Sequence, residues 1–239
     1  MKIDATEKTQ EELNEIVRRN RSSEYEIFGC LGHRFIAAGA EDSRFLLHGT
    51  PGNALAAYCN GATIEVFGNA QDAVGDTMND GKIIVRGNVG DALGYAMRGG
   101  AIFVEGNAGY RAGIHVKAYK SKVPHIVIGG CAGSFLGEYQ AGGVIIVLGL
   151  NAKGPVVGNF PCTGMHGGKV LLRSTCDDVD FPKNVIAKAA SQEDLSEFEA
   201  VIREFCETFG FDEREVLSSP FTVVVPNGNN PYKQMYAQN

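Results

Sequence analysis

Ile83-Ile-Val-Arg-Gly-Asn-Val-Gly-Asp-Ala-Leu-Gly94 is answered 19 residues later by Ile102-Phe-Val-Glu-Gly-Asn-Ala-Gly-Tyr-Arg-Ala-Gly113. The same pattern stands 19 residues earlier, from Ile64 to Gly75. Each copy opens with apolar residues at alternate positions, the period of a short strand. Each then runs into glycine. The register extends back to Phe45 and Leu47, and forward through Ile126/Ile128, Ile145/Val147 and Val170/Leu172. Two longer steps leave inserted residues near 117–125 and 150–167. Strands recurring this often leave no room for a crossover helix, so neighbours must lie parallel at about 4.8 Å.

The spacing therefore predicts an all-β solenoid, a right-handed parallel β-helix of about seven turns. Two inward columns follow from it. One holds Phe45, Ile64, Ile83, Ile102, Ile126, Ile145 and Val170; the other holds Leu47, Val66, Val85, Val104, Ile128, Val147 and Leu172. The repeated glycines read as structural corners, where backbone approaches backbone or φ is positive. They are Gly68, Gly75, Gly87, Gly90, Gly94, Gly106, Gly109, Gly113, Gly130, Gly133 and Gly137. A phosphate loop would need a helix after the glycines, and here a strand follows. Asn69, Asn88 and Asn107 share a column in which amides can bond from copy to copy.

The outward column, Leu46, Glu65, Ile84, Phe103, Val127, Ile146 and Leu171, is apolar apart from Glu65. A bare stripe of that length is rare on a monomer, so Leu46, Ile84, Phe103, Val127, Ile146 and Leu171 mark a candidate interface. The competing cover is a C-terminal helix. Ser191-Gln-Glu-Asp194 reads as its capping box, Leu195, Phe198, Ile202, Phe205 and Phe209 as its apolar face, and Gly210 as its stop. A shorter helix over 9–19 starts at a Thr9/Glu12 box. The chain thus divides into an N-terminal helix and entry segment (1–40), the repeat (41–175), and a C-terminal helix and tail (176–239).

Among 239 residues there are 31 Gly, 6 Cys and no Trp, and the formal charge is −6. An acidic chain lacks the basic field that non-specific nucleic-acid or anionic-membrane binding requires. No apolar run is long enough to cross a bilayer, and Met1 to Glu7 lacks the apolar core of a signal peptide. A cytoplasmic protein is expected. Cys30, Cys59, Cys131, Cys162, Cys176 and Cys206 are scattered, without zinc-ligand spacing, and read as small buried hydrophobes. His33, His48, His115, His125 and His166 show no ligand spacing either; His166, between glycines in an insertion, is the one worth testing as acid or base. Asp72 and Asp91 occupy one column and could share a proton in a hydrolase or lyase. Lys117, Lys120 and Lys122 form a small basic patch in the first insertion.

The unit G-x-x-G-x-x-x-G occurs at 87–94, 106–113 and 130–137, with Gln71 replacing the middle glycine at 68–75. With His48-Gly-Thr-Pro-Gly-Asn53, Asn79-Asp-Gly81, Tyr95-Ala-Met-Arg-Gly-Gly100, Thr163-Gly-Met-His-Gly-Gly168 and Asn230-Pro-Tyr232, it resembles the GXGXG domain that closes the glutamate synthase large subunit, in its separate-chain form. The resemblance implies a scaffold subunit with no cofactor of its own. It would join a glutamine amidotransferase subunit to a flavin-containing subunit carrying FMN and an iron–sulfur cluster. In the whole enzyme, glutamine ammonia is used to make glutamate from 2-oxoglutarate. A formylmethanofuran dehydrogenase subunit shares this fold and implies a metallopterin partner instead. A self-sufficient hydrolase or lyase, and pairing with copies of itself, also remain open.

The residues agree with a non-catalytic role. An amidotransferase of that kind needs a Cys at the mature N-terminus. Here position 2 is Lys and the first cysteine is Cys30.

Overall fold

The computed structural model describes residues 1–228. Its strands are β1 (Lys2–Asp4), β2 (Glu24–Leu31), β3 (Arg44–Thr50), β4 (Asn60–Phe67), β5 (Asp80–Val85), β6 (Ala101–Val104), β7 (His125–Ile128), β8 (Ala141–Val147), β9 (Gly167–Leu172), β10 (Val185–Ala189) and β11 (Thr222–Pro226). Its helices are α1 (Gln10–Asn20), α2 (Gln192–Ser196), α3 (Glu199–Phe209) and α4 (Glu213–Leu217).

All strands belong to one eleven-stranded sheet in the order β1-β2-β3-β4-β5-β6-β7-β8-β9-β11-β10. Neighbours from β1 to β9 are parallel, while β11 pairs antiparallel with both β9 and β10. This corrects the expected all-β solenoid of about seven turns: the molecule is a single open mixed sheet with few helices. The physical reason lies in the segments that return the chain from one strand to the next. Each carries left-handed residues at alternate positions, such as Ala73, Gly75 and Thr77, or Arg111, Gly113 and His115. Residues so placed cannot be extended, so the returns contribute turns and isolated bridges, such as Ala70↔Val89↔Ala108, and no second sheet.

Within the sheet, Phe45, Ile64, Ile83, Ile102, Ile126, Ile145 and Val170 are successive partners. They are fully buried or nearly so, and pack against Leu55, Val74, Leu93, Ala112 and Leu136 of the returns. At roughly 1.5–3 kcal/mol for each large side chain buried, this layer is the main source of cohesion.

A second core covers the other face. Phe103, Val127, Ile146 and Leu171 lie fully buried beneath Phe198, Ile202, Phe205 and Val216. The Phe103 and Phe205 rings meet edge to face at 5.8 Å, and Lys82 Nζ reaches Glu204 Oε1 at 2.6 Å. The C-terminal segment itself therefore covers these four stripe residues, leaving Leu46 and Ile84 half-buried. The single helix expected after Ser191 is two: a capping box at Ser191/Asp194 starts α2, the chain breaks at Glu197 and Phe198, and α3 runs to a left-handed Gly210. Phe198 is 1 % exposed, so the break lets it anchor in the core. At the other end, the box at Thr9 and Glu12 caps α1. No described helix is long and apolar enough to cross a membrane. Asn230-Pro-Tyr232 lies outside the described residues.

Candidate functional site

The returns stack in the same order as the strands, and their motif residues have interlocking roles. Asn88 N donates to Asn69 Oδ1, Asn107 N to Asn88 Oδ1 and Cys131 N to Asn107 Oδ1, each at 2.8 Å. Three residues on, Asp91 N donates to Asp72 Oδ1 and Tyr110 N to Asp91 Oδ1, also at 2.8 Å. The glycines make room for these side chains. A Cβ at Gly87 would come within 2.5 Å of Asn69 Oδ1, and one at Gly90 would overlap Asp72 Oδ1. Gly106 and Gly130 face Asn88 and Asn107 in the same way, and Gly109 faces Asp91. At Gly68 and Gly133 the obstruction is the backbone of the preceding copy. Gly75, Gly94, Gly113 and Gly137 have φ between +63° and +71°. A Cβ at Gly94 would stand 2.5 Å from Ile126 Cδ1.

Asp72 and Asp91 thus sit one repeat apart, and each uses an oxygen to accept an N–H from the next return. His166 Nδ1 lies 3.0 Å from Gly164 O. Lys122 is drawn to Asp80 Oδ2 at 2.7 Å, while Lys117 and Lys120 are exposed. All six cysteines are free. Burial pushes every thiol up: Cys30 and Cys206 to about 11, Cys162 to about 12, and Cys59, Cys131 and Cys176 in the same direction. None is the thiolate that nucleophilic chemistry requires at neutral pH.

The feature that sequence reading missed is a field of rings on the outer surface of the returns. Successive returns place Phe35, Ala54, Ala73, Ala92, Arg111, Phe135 and Phe160 at one left-handed position, with φ between +55° and +62°. Four residues further on, Tyr58, Thr77, Ala96, His115 and Tyr139 are also left-handed. Tyr110, Phe135 and Phe160 form one ladder, with centroids 5.2 Å apart at each step. His115 stacks on Tyr139 at 5.2 Å and meets the Tyr95 edge at 5.9 Å. Against the first ladder the Arg111 guanidinium lies 4.8 Å from the Tyr110 ring and 5.4 Å from that of Phe135. It also bonds Glu138 Oε2 at 2.7 Å. Exposure is 58 % at Phe160 and 37–40 % at Tyr95, Tyr110 and Tyr139.

A left-handed backbone costs a residue with a Cβ about 1–2 kcal/mol, and bulky residues there are outliers. Ala54, Ala73, Ala92 and Ala96 meet the requirement with the smallest side chain that has a Cβ. Other returns, early and late, place Phe, Tyr, His and Arg at these positions; Phe35, Tyr58 and Phe160 are more than half exposed there, so burial repays little of their strain. Strain of this kind gathers at functional surfaces. Clustered Tyr, Phe and Arg are also the residues that carry binding energy at protein interfaces. Part of the signal was available: the 24-residue step that aligns Ile102 with Ile126 also aligns Arg111 with Phe135, whereas Phe160 lies inside the 150–167 insertion, outside that register.

An uncharacterized protein of Methanocaldococcus jannaschii is 47 % identical over 248 residues, covering 98 % of this chain and 95 % of that one. Similarity of fold extends to a chain in the X-ray structure of the formyltransferase/hydrolase complex of Methylorubrum extorquens, determined with methylofuran. There the TM-score is 0.63 at 19 % identity, over 84 % of this chain and 72 % of that one. The pattern of the GXGXG motif matches residues 1–227. The chain belongs to the GXGXG motif family.

Proposed function

We propose that this chain is a non-catalytic scaffold subunit of a multi-subunit enzyme complex, and that the ring field around Arg111 docks a larger subunit. The observation that carries this reading is the exposed aromatic set at left-handed positions where other copies of the repeat use Ala.

The fold neighbour belongs to a formyltransferase/hydrolase complex. That likeness supports a place in a formyl-handling assembly of the formylmethanofuran dehydrogenase kind. The G-x-x-G-x-x-x-G copies at 87–94, 106–113 and 130–137 favour a second reading. In it the partners are a glutamine amidotransferase and an FMN- and iron–sulfur-containing subunit of a glutamate synthase-type enzyme. Affinity purification from the native cell extract under mild conditions, followed by native mass spectrometry, separates the readings. A metallopterin or formyl-transferring partner supports the first; a flavoprotein with an amidotransferase supports the second. A chain recovered alone, at full occupancy, contradicts both.

A further inference from the structure

The hydrogen bonds between returns expose an unfinished end. Ala56, Gly75 and Gly94 donate their N–H groups to Ile36, Leu55 and Val74 O of the preceding return at 2.8–2.9 Å, and Gly113, Gly137 and Cys162 continue the series. Four residues beyond the first three, Asn60, Asn79 and Arg98 donate in the same direction to Ala40, Cys59 and Met78 O, also at 2.8–2.9 Å. The first return has no predecessor. Its equivalent donors are Ala37, with φ +57° against +56° at Ala56, and Glu41. Neither amide meets a protein acceptor among the described residues.

Helix α1 stands where a preceding return would be, and it supplies one substitute contact, Asn14 Nδ2 to Arg34 O at 2.9 Å. Beside it a groove of about 870 Å³ remains, lined by Val17, Arg18, Arg21, Phe35, Ala37 and Glu41. Its apolar floor includes the Tyr25 and Phe45 rings, stacked 4.8 Å apart. Phe35 is 51 % exposed there, although Ala37 is only 4 % exposed. Arg18 pairs with Glu15, and the Glu41 carboxylate accepts from Asn60 Nδ2 at 3.1 Å. Arg21 has no ion-pair partner among the described residues. The groove therefore offers backbone donors, an apolar floor and, at Arg21, a cation without an ion-pair partner among the described residues, with the Asp42 carboxylate also on its lining. That set suits an extended chain with an acidic side chain, which is how added strands and nests recognise peptides.

We propose that the groove between α1 and the first return receives an extended segment of a partner subunit. The segment supplies carbonyl acceptors to Ala37 N and Glu41 N, an apolar side chain to Phe35 and Val17, and a carboxylate to Arg21. The inference rests on the scaffold reading and adds a second contact, at the opposite end of the stack from Phe160.

Residue-resolved hydrogen exchange on the isolated chain, and on the complex purified from its own cells, tests it. Ala56 and Asn60 amides are expected to be protected in both. Ala37 and Glu41 should exchange freely in the isolated chain and at least tenfold more slowly in the complex. Arg21→Glu should raise the Kd for the co-purified partner about tenfold without moving the melting temperature. Protection gained around Phe135 and Phe160 but not at Ala37 and Glu41 overturns the groove and leaves the scaffold reading standing. Protection gained at neither place overturns both.

Discussion

Arg111 and Glu138 lie in successive returns and are joined by a 2.7 Å bond between Nε and Oε2, with the carboxylate side chain only 8 % exposed and the guanidinium 43 %. The pair ties two repeats together across the ring field. Glu138 in turn holds the Arg111 guanidinium even more firmly protonated than usual. Removing the cation alone leaves a carboxylate without its partner in a dry place. Arg111→Ala is expected to lower the urea midpoint, and Arg111→Ala with Glu138→Gln should recover most of the loss. Equal midpoints for the single and double variants would show that the pair is uncoupled.

Gly94 tests the tightness of the stack. A branched side chain there meets both a φ of +64° and Ile126 Cδ1. Gly94→Val should destabilise by more than about 3 kcal/mol, since strain and overpacking add. Thermal unfolding reads this directly, and an unchanged melting temperature would contradict the packing described.

Phe205 tests the cover over the outer face of the sheet. It is fully buried and touches Phe103, Phe209 and Phe211. Phe205→Ala should cost about 3–5 kcal/mol by the usual cavity penalty, measured from denaturant midpoints. A loss below about 1 kcal/mol would mean that α3 can lift from the sheet at little expense.

His125 should make stability depend on pH. Burial is the main cause that lowers its pKa from 6.5, with Glu204 opposing. Its folded pKa lies below its unfolded one, so the unfolded chain binds the proton first as pH falls. The associated stability is complete above about pH 6.5 and declines as pH falls through the folded value. His125→Gln should flatten the change between pH 7 and pH 5. A slope unaltered by that substitution would assign the dependence to other groups.

The register of the inner columns was legible because alternation within each strand and the 19-residue step are local properties of the chain. Phe45, Ile64, Ile83 and Ile102 are sheet neighbours in that order. The single open sheet was not legible, because β11 reaches β9 by antiparallel pairing some fifty residues away, outside any repeat. Nor does alternation reveal that each return holds left-handed residues, since Ala, Arg and Phe occupy that position in turn. The ring field is only partly legible: Phe135 aligns with Arg111, but Phe160 lies inside the 150–167 insertion, where the repeat spacing does not place it above Phe135. The break before α3 follows from the burial of Phe198, a tertiary demand that helical spacing does not record.

Replacing Phe160 and Tyr139 together by Asn, a residue that tolerates the left-handed region, separates a docking role from a folding role. If the rings serve a partner, the double variant should match or exceed the wild-type melting temperature, yet lose at least tenfold in affinity for the subunit that co-purifies with the native chain. A variant that melts earlier while binding that subunit undiminished would contradict the central claim.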